Sequence, residues 1–192
     1  MSDVSWLILI ARVPQSPARH RVAVWRELRK AGAVPIASGA WTLPDESRYE
    51  PVLARIAHLC ETAGGTLAVL GAEARDPASG RLLPDAFEAA RIDEWAELTA
   101  DGGKLLDEID REIAKRKLTF AELEEEEQSL ERLRRWSADL RRRNIPGFAE
   151  EAAEEAATRL AECEAKLEGY AALVYEATRA ATGAVDDPGG PS

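Results

Sequence analysis

The chain has few of the residues that build disulfide frameworks, and it has no long apolar run. Its 2 cysteines, Cys60 and Cys163, lie far apart and are too few for a disulfide scaffold or a four-ligand zinc site. The longest apolar runs, residues 7–11 and 66–70, are much shorter than the roughly 20 residues that cross a bilayer. No basic stretch precedes the first run, so we expect no secretory signal. These absences predict a cytoplasmic protein without a membrane partner.

Charged residues, in contrast, are abundant. Of 192 residues, 35 are acidic and 25 are basic, which gives a net charge of −10, and 45% are hydrophobic. This composition excludes a wholly disordered chain. The acidic balance also argues against simple non-specific binding to nucleic acid. Most of the excess negative charge lies in residues 105–192, whereas most of the prolines and tryptophans lie in the first half.

Short apolar runs alternate with helical spacings in the first 72 residues. Ser16 and Pro17 predict a helix start, with Ser16 as the N-cap, and Gly32 predicts its end. Asp45 or Ser47 is expected to cap a second helix. Strands are predicted near residues 6–13, 34–38, 40–43 and 66–72. The resulting order, β-α-β-β-α-β, is that of a ferredoxin-like domain, with four antiparallel strands and both helices on one face.

The second half has a helical pattern from Pro84 onward. Thr119 with Glu122 forms a capping box, and residues 144–147 must interrupt the helix that follows. In the last helix apolar residues recur at alternating steps of four and three, a coiled-coil seam that includes Leu160, Leu167 and Val174.

We therefore predict an α+β protein: a ferredoxin-like βαββαβ domain followed by a long antiparallel α-helical hairpin. The expected divisions are the ferredoxin-like domain at 1–83, the helical region with the hairpin at 84–183, and a disordered tail at 184–192.

Two clusters of arginine are the candidate binding sites for DNA or an anion. The first lies around the predicted first helix and consists of Arg12, Arg19, Arg21, Arg26 and Arg29. The second lies near the end of the first hairpin helix and includes Arg134, Arg135, Arg141 and Arg142. Such rows hold phosphate or a tetrahedral oxyanion. For the first cluster the alternatives are a solvated helix face or a salt bridge from Arg26 into the helical half. For the second the alternative is a charge-balanced hairpin.

No pattern predicts catalysis, a metal or a cofactor. His58 and Cys60 are two residues apart on a helix, so their side chains diverge and cannot chelate one ion. His20 lacks a nucleophile and an orienting carboxylate. The tryptophans Trp6, Trp25, Trp41 and Trp95 fall on apolar faces and are expected in the core rather than as stacking platforms for bases.

The first 45 residues resemble a known family. The stretch WLILIARVPQSPARHRVAVWRELRKAGAVPIASGAWTLPD is similar to the N-terminal domain of ChrB, the bacterial chromate-resistance regulator. The similarity is carried by the apolar strand, the Val24-Trp25-Arg26 core of the helix, and Gly39-Ala40-Trp41. The ferredoxin-like region of PaaX-type repressors is similar more weakly, and it in turn resembles small CRISPR-associated nucleases. Those nucleases place a metal-binding Asp at the end of the first strand, where this chain has Arg12 and Val13, so nuclease activity is not expected.

The resemblance implies a non-enzymatic regulatory protein that acts in the response to chromate or a related oxyanion. Its expected partners are promoter DNA, the oxyanion, and a second copy or a separate regulator subunit. Because full-length regulators of this family carry a further C-terminal domain, a stand-alone paralogue or one half of a split system is expected. The alternatives are a protein-interaction or oligomerisation module without DNA binding and, third, a nuclease-like enzyme.

Overall fold

A computed structural model describes residues 4–183 of the chain, so the predicted tail at 184–192 lies outside the described residues. The strands are β1 (Trp6–Arg12), β2 (Val34–Ala37), β3 (Ala40–Pro44) and β4 (Thr66–Ala72). The helices are α1 (Ala18–Ala31), α2 (Glu50–Thr62), α3 (Pro77–Ala114), α4 (Phe120–Arg143) and α5 (Glu150–Gly183), with a short 3₁₀ turn at Ser47–Tyr49. The predicted α+β class is confirmed.

The four strands form one sheet in the order β2-β3-β1-β4, and every neighbouring pair is antiparallel. Leu9 at the centre of β1 lies opposite Trp41 of β3 and Val69 of β4. Because successive side chains of a strand point to opposite faces, this register places Leu7, Leu9 and Trp41 together on one face.

That face packs against α1 and α2. Leu9 and Leu43 are fully buried, and they share a core with Val24 and Leu28 of α1 and with Ile56 of α2. The opposite face is covered in part by the first turns of α3 and by the segment between α4 and α5. There Trp6 packs edge-to-face on Phe87, with 5.3 Å between ring centroids, and Ile145 is buried beside them.

The starts of α1 and α2 differ from the predicted ones. Helix α1 begins at Ala18, with Pro17 rather than Ser16 at the N-cap position and no side-chain cap. Helix α2 follows Tyr49, and neither Asp45 nor Ser47 caps it. Packing of Ile56 and Leu28 in the core, rather than capping bonds, therefore holds these two helices.

Helix α3 begins seven residues earlier than predicted and runs through Gly102 and Gly103. Asp76 precedes its first turn and accepts hydrogen bonds from the amides of Ala78 and Ser79 at 3.0 and 2.9 Å. These bonds lower the pKa of Asp76. No described helix is long and apolar enough to cross a membrane.

By their internal contacts the residues divide into two compact units. Within the described range, unit 1 comprises residues 4–91 with 143–149, and unit 2 comprises residues 92–142 with 150–183. Unit 1 contains the sheet with α1 and α2, and unit 2 contains most of the three long helices.

The core of unit 2 joins three helices rather than the two of the predicted hairpin. The interruption between α4 and α5 lies where it was predicted, and Leu167 and Val174 are buried, whereas Leu160 is half-buried. They pack with Leu105 and Ile109 of α3 as well as with α4. The phenol of Tyr170 donates a hydrogen bond of 2.6 Å to the carbonyl of Lys117, which ties α5 to the α3–α4 loop.

Candidate functional site

Helix α1 presents one face to the core and one to solvent. Val24, Leu28 and Ala31 are buried, a stripe with the helical spacing of four and three. The remaining positions of the helix are exposed or half-buried. The exposed basic residues of α1 are Arg19, Arg21, Arg26, Arg29 and Lys30.

Two apolar side chains lie on the exposed face among these arginines. Trp25 is 52% exposed and Val22 is 43% exposed, so the predicted core position of Trp25 is wrong. The reason is that the buried stripe runs through Val24 and Leu28, and Trp25 lies beyond its edge. The guanidinium of Arg29 lies 6.0 Å from the ring centroid of Trp25, which is within the range of a cation–π contact.

The positive charge of this face is not neutralised within the helix. Glu27 is the acidic residue of α1, and its carboxylate contacts Arg55 of α2 at 3.4 Å. Among residues 4–183, Arg19, Arg21 and Arg26 form no ion pair. We name the surface formed by Arg19, Arg21, Val22, Trp25, Arg26, Arg29 and Lys30 the basic face of α1.

Besides Gly32, which the sequence indicates, the end of α1 is held by residues that no sequence motif marks. Gly32 closes the helix, and the side chain of Arg143 donates to the carbonyl of Arg29 at 3.4 Å. Arg91 is 2% exposed, and its guanidinium lies over the Phe87 ring at 4.9 Å. A cation near the last carbonyls of a helix opposes the negative end of its dipole. No local sequence pattern signals these contacts, because Arg143 lies 114 residues from Arg29.

Arg12 does not belong to the basic face of α1. It lies at the end of β1 opposite Thr66, two residues from Ile10 and four from Ile8. Since these positions alternate with Leu7 and Leu9, the side chain of Arg12 is on the sheet face opposite α1 and α2. The first predicted cluster is therefore divided between two sides of the sheet.

The arginines predicted on α4 lie in unit 2, and several contact acidic groups. Arg134 donates to Glu164 of α5 at 2.8 Å, and Arg142 pairs with Asp139 one turn earlier. Arg135 donates to the backbone carbonyl of Glu131, whereas Arg141 is exposed. These contacts fit the charge-balanced alternative for this cluster.

An apolar groove of about 460 Å³ lies on the sheet face opposite α1. Its lining includes Trp6, Ile8, Ile36 and Leu82, with Arg75 among its polar residues. Transfer of a multiply charged anion into apolar surroundings is costly unless several donors replace its water. The groove therefore suits an apolar group better than an oxyanion.

The described residues contain no group of three or more His, Cys, Asp or Glu side chains placed to hold a metal ion. Cys60 and Cys163 are both buried, and burial raises the pKa of each thiol. A thiol held in its neutral form is a poor nucleophile and a poor metal ligand. The arrangement that remains is an exposed row of cations with an exposed aromatic ring.

Comparison with known families gives one match over most of the chain. The family model described as "Protein ChrB, N-terminal" matches residues 21–181, which include most of α1, most of α5 and every helix and strand between them. A search of curated proteins finds no match.

Proposed function

The chain belongs to the family of the N-terminal region of protein ChrB, and from this premise we propose that it is a regulatory protein of the chromate response that contacts DNA through the basic face of α1. The observation that carries the proposal is the exposure of Arg19, Arg21 and Arg26 without acidic partners among the described residues. Phosphate contacts of this kind supply most of the affinity of non-specific binding and position the protein on the duplex.

The geometry of the basic face favours a polymer of phosphates over one small anion. Arg19 and Arg26 are separated by two helical turns, about 10 Å along the axis. Both side chains are exposed, so a small oxyanion between them would keep its water and gain little selectivity. A nucleic-acid backbone presents a charge at successive positions and can contact both arginines at once.

Trp25 and Arg29 add an aromatic surface at the same place. An exposed indole beside cations offers stacking area to a base or sugar and a donor to a phosphate. A large exposed aromatic ring is costly to leave in water, so its position on the basic face supports an interaction surface rather than a merely solvated helix.

We also assign unit 1 to the ferredoxin-like class. Its elements follow in the order β-α-β-β-α-β, and α1 and α2 share one face of the antiparallel sheet. On this scaffold α1 is supported by the sheet along its whole buried stripe, so the arginines on its outer side are held in a fixed row.

DNA titrations over a series of salt concentrations test the proposal. The variant is Arg19→Gln with Arg26→Gln, and the probes are DNA from upstream of the protein's own coding sequence and a duplex of unrelated sequence. If both arginines contact phosphates, the slope of log K against log salt falls by about 2, because each lost contact removes about 1. The affinity falls for both duplexes.

The matched control is Arg75→Gln with Arg81→Gln, which removes the same charge from exposed positions outside the basic face. This control should retain the slope of the unmodified protein. Equal losses in the two double variants would mean that net charge alone acts, and no binding at low salt would favour the interaction-module alternative.

A further inference from the structure

Strand β4 is an unprotected edge of the sheet. The two edges are β2 and β4, because the strand order is β2-β3-β1-β4. Strand β2 has only 4 residues, includes Pro35, and has a register shift before Ala37, all of which discourage pairing with another strand. Strand β4 has 7 residues, TLAVLGA, with no proline and no charge.

Both faces of β4 leave apolar side chains in water. Val69 is 42% exposed on the face that carries α1 and α2, and Leu70 is 50% exposed on the other face, beside Ile10 at 36%. Among the described residues, only β1 pairs with the backbone of β4. Its outward amides and carbonyls are therefore available, and natural proteins usually protect an edge of this kind with charge, proline or a covering element.

The side chains of β4 are complementary to those of a second β4. In an antiparallel pairing about a two-fold axis at Val69, each residue faces the residue of the other copy that lies equally far from Val69 in the opposite direction. On either side of the axis, this places larger side chains opposite smaller ones. Val69 then meets the partner subunit's Val69. The other pairs are Leu70 with the partner subunit's Ala68, Leu67 with the partner subunit's Gly71, and Thr66 with the partner subunit's Ala72.

Charge also favours a second copy as the occupant. The whole chain carries −10, so most of its surfaces repel another copy, whereas β4 brings no charge opposite its own equivalent. The strand offers no charged side chain by which a different partner would be selected. In this pairing the diagonal contact between Leu70 and the partner subunit's Leu70 buries a large apolar side chain that is 50% exposed in the single chain.

We propose that two copies of this chain associate through β4, by antiparallel pairing centred on Val69, into one continuous eight-stranded sheet. The proposal does not depend on DNA binding, so the two are tested separately.

Sedimentation equilibrium of the full chain without DNA is the first test. The unmodified protein is expected to have twice the monomer mass. Val69→Lys places two like charges face to face at the axis and is expected to give the monomer. The control is Ile92→Lys, which adds the same charge at an apolar position of matched exposure, 43% against 42%, and should remain dimeric. A monomeric unmodified protein, or a dimer that survives Val69→Lys, would overturn the proposal.

Cross-linking tests the register without a charged substitution. In Val69→Cys the two new thiols face each other, and oxidation by diamide should join them in a disulfide, with diamide reduced to the hydrazine. The native Cys60 and Cys163 are buried and should not cross-link. Ile92→Cys is the control and should form no disulfide between two copies. If Val69→Cys cross-links no more than Ile92→Cys, the pairing is wrong; far-UV circular dichroism of each variant confirms that it is folded.

Discussion

Gly32 shows how one residue positions the basic face of α1. Its φ of 82° lies in the left-handed region, and its amide donates to the carbonyl of Arg29 at 3.0 Å, while Ala33 donates to Leu28 at 3.0 Å. This pattern ends the helix and turns the chain directly into β2. A Cβ on Gly32 would lie 3.1 Å from the Cβ of Arg143, so both backbone and packing require glycine here.

We expect Gly32→Ala to lower the free energy of unfolding by about 1–2 kcal/mol, because an L-residue is disfavoured in the left-handed region. The urea midpoint measures this. Gly103→Ala is the control: Gly103 lies inside α3, and beyond its chain neighbours and the adjacent backbone of the helix, a methyl group added there would meet nothing within 4 Å. At that position alanine should raise the free energy of unfolding by about 0.5–1 kcal/mol. Equal effects of the two substitutions would contradict the role assigned to Gly32.

At the scale of the element, α5 is held by its seam. Leu167 is 7% exposed and Tyr170 and Val174 are fully buried, all against α3 and α4. Gly102 of α3 allows α5 to approach closely: a Cβ there would lie 2.6 Å from Cγ of Arg159, and the carbonyl of Gly102 accepts from Sγ of Cys163 at 3.3 Å. Gly102 therefore serves the packing of α5 against α3.

Leu167→Ala should cost about 2–5 kcal/mol of unfolding free energy, because it removes a buried side chain from a packed core. Leu173 lies on the same helix and is 36% exposed, so Leu173→Ala should cost much less. Chemical denaturation compares the two variants. If the two losses are equal, the seam is not the buried side of α5.

Helix α4 carries a buried carboxylate, Glu126, which is 7% exposed. Burial raises its pKa, and the neighbouring Glu108 and Glu112 raise it further. It lines a cleft of about 580 Å³ with Glu122 and Lys117. Lys117 contacts Glu112 and Glu122, both at 3.3 Å, so its charge is shared between these other carboxylates.

Because the folded pKa of Glu126 is above its unfolded value, this residue favours folding when protonated and loses that contribution as the pH rises through the folded pKa. We therefore expect Glu126→Gln to have a higher thermal midpoint than the parent protein at pH 7. In acid, where Glu126 is protonated, the two midpoints should differ less. Glu127→Gln removes the same charge at an exposed position and should show little of this pH dependence. A Glu126→Gln variant less stable than the parent at pH 7 would contradict the prediction.

The whole molecule carries −10, so DNA is repelled at long range and attracted only near the basic face of α1. At physiological salt, charges interact over about 8 Å, so a local row of cations can attract DNA despite the net charge.

Lysine substitutions separate phosphate binding from oxyanion binding, because a lysine has the charge of an arginine but lacks its two-pronged donor geometry.

Arg19→Lys with Arg26→Lys should preserve most of the DNA affinity, since a point charge also binds a backbone phosphate. Titration calorimetry with chromate and with sulfate provides the second measurement. If the lysine variant keeps DNA binding but loses binding of either anion, the basic face of α1 holds a small oxyanion, and the preference for a phosphate polymer is wrong.

Local rules account for much of the fold. The apolar run of β1, the turn at Gly39, the capping of α4 by Thr119 and the seam of α5 depend on residues a few positions apart. The amide of Glu122 donates to the Thr119 hydroxyl at 3.3 Å, as its spacing predicts. Periodicity and turn chemistry act at this range, so the sequence alone determined the kind and order of the strands and helices and the break between α4 and α5, but not the starts of α1, α2 and α3.

Only the tertiary structure decided which chemically similar residues share a role. Trp41 is buried and Trp25 is exposed, although both lie in apolar patterns. Arg26 has no acidic partner among the described residues, whereas Arg134 contacts Glu164, thirty positions away. Burial and ion pairing depend on which surfaces meet across long separations in the chain. That information is absent from any local window. The sequence indicates the arginines of α1, but their exposure beside Trp25 is decided only once the sheet has given the helix an inner and an outer side.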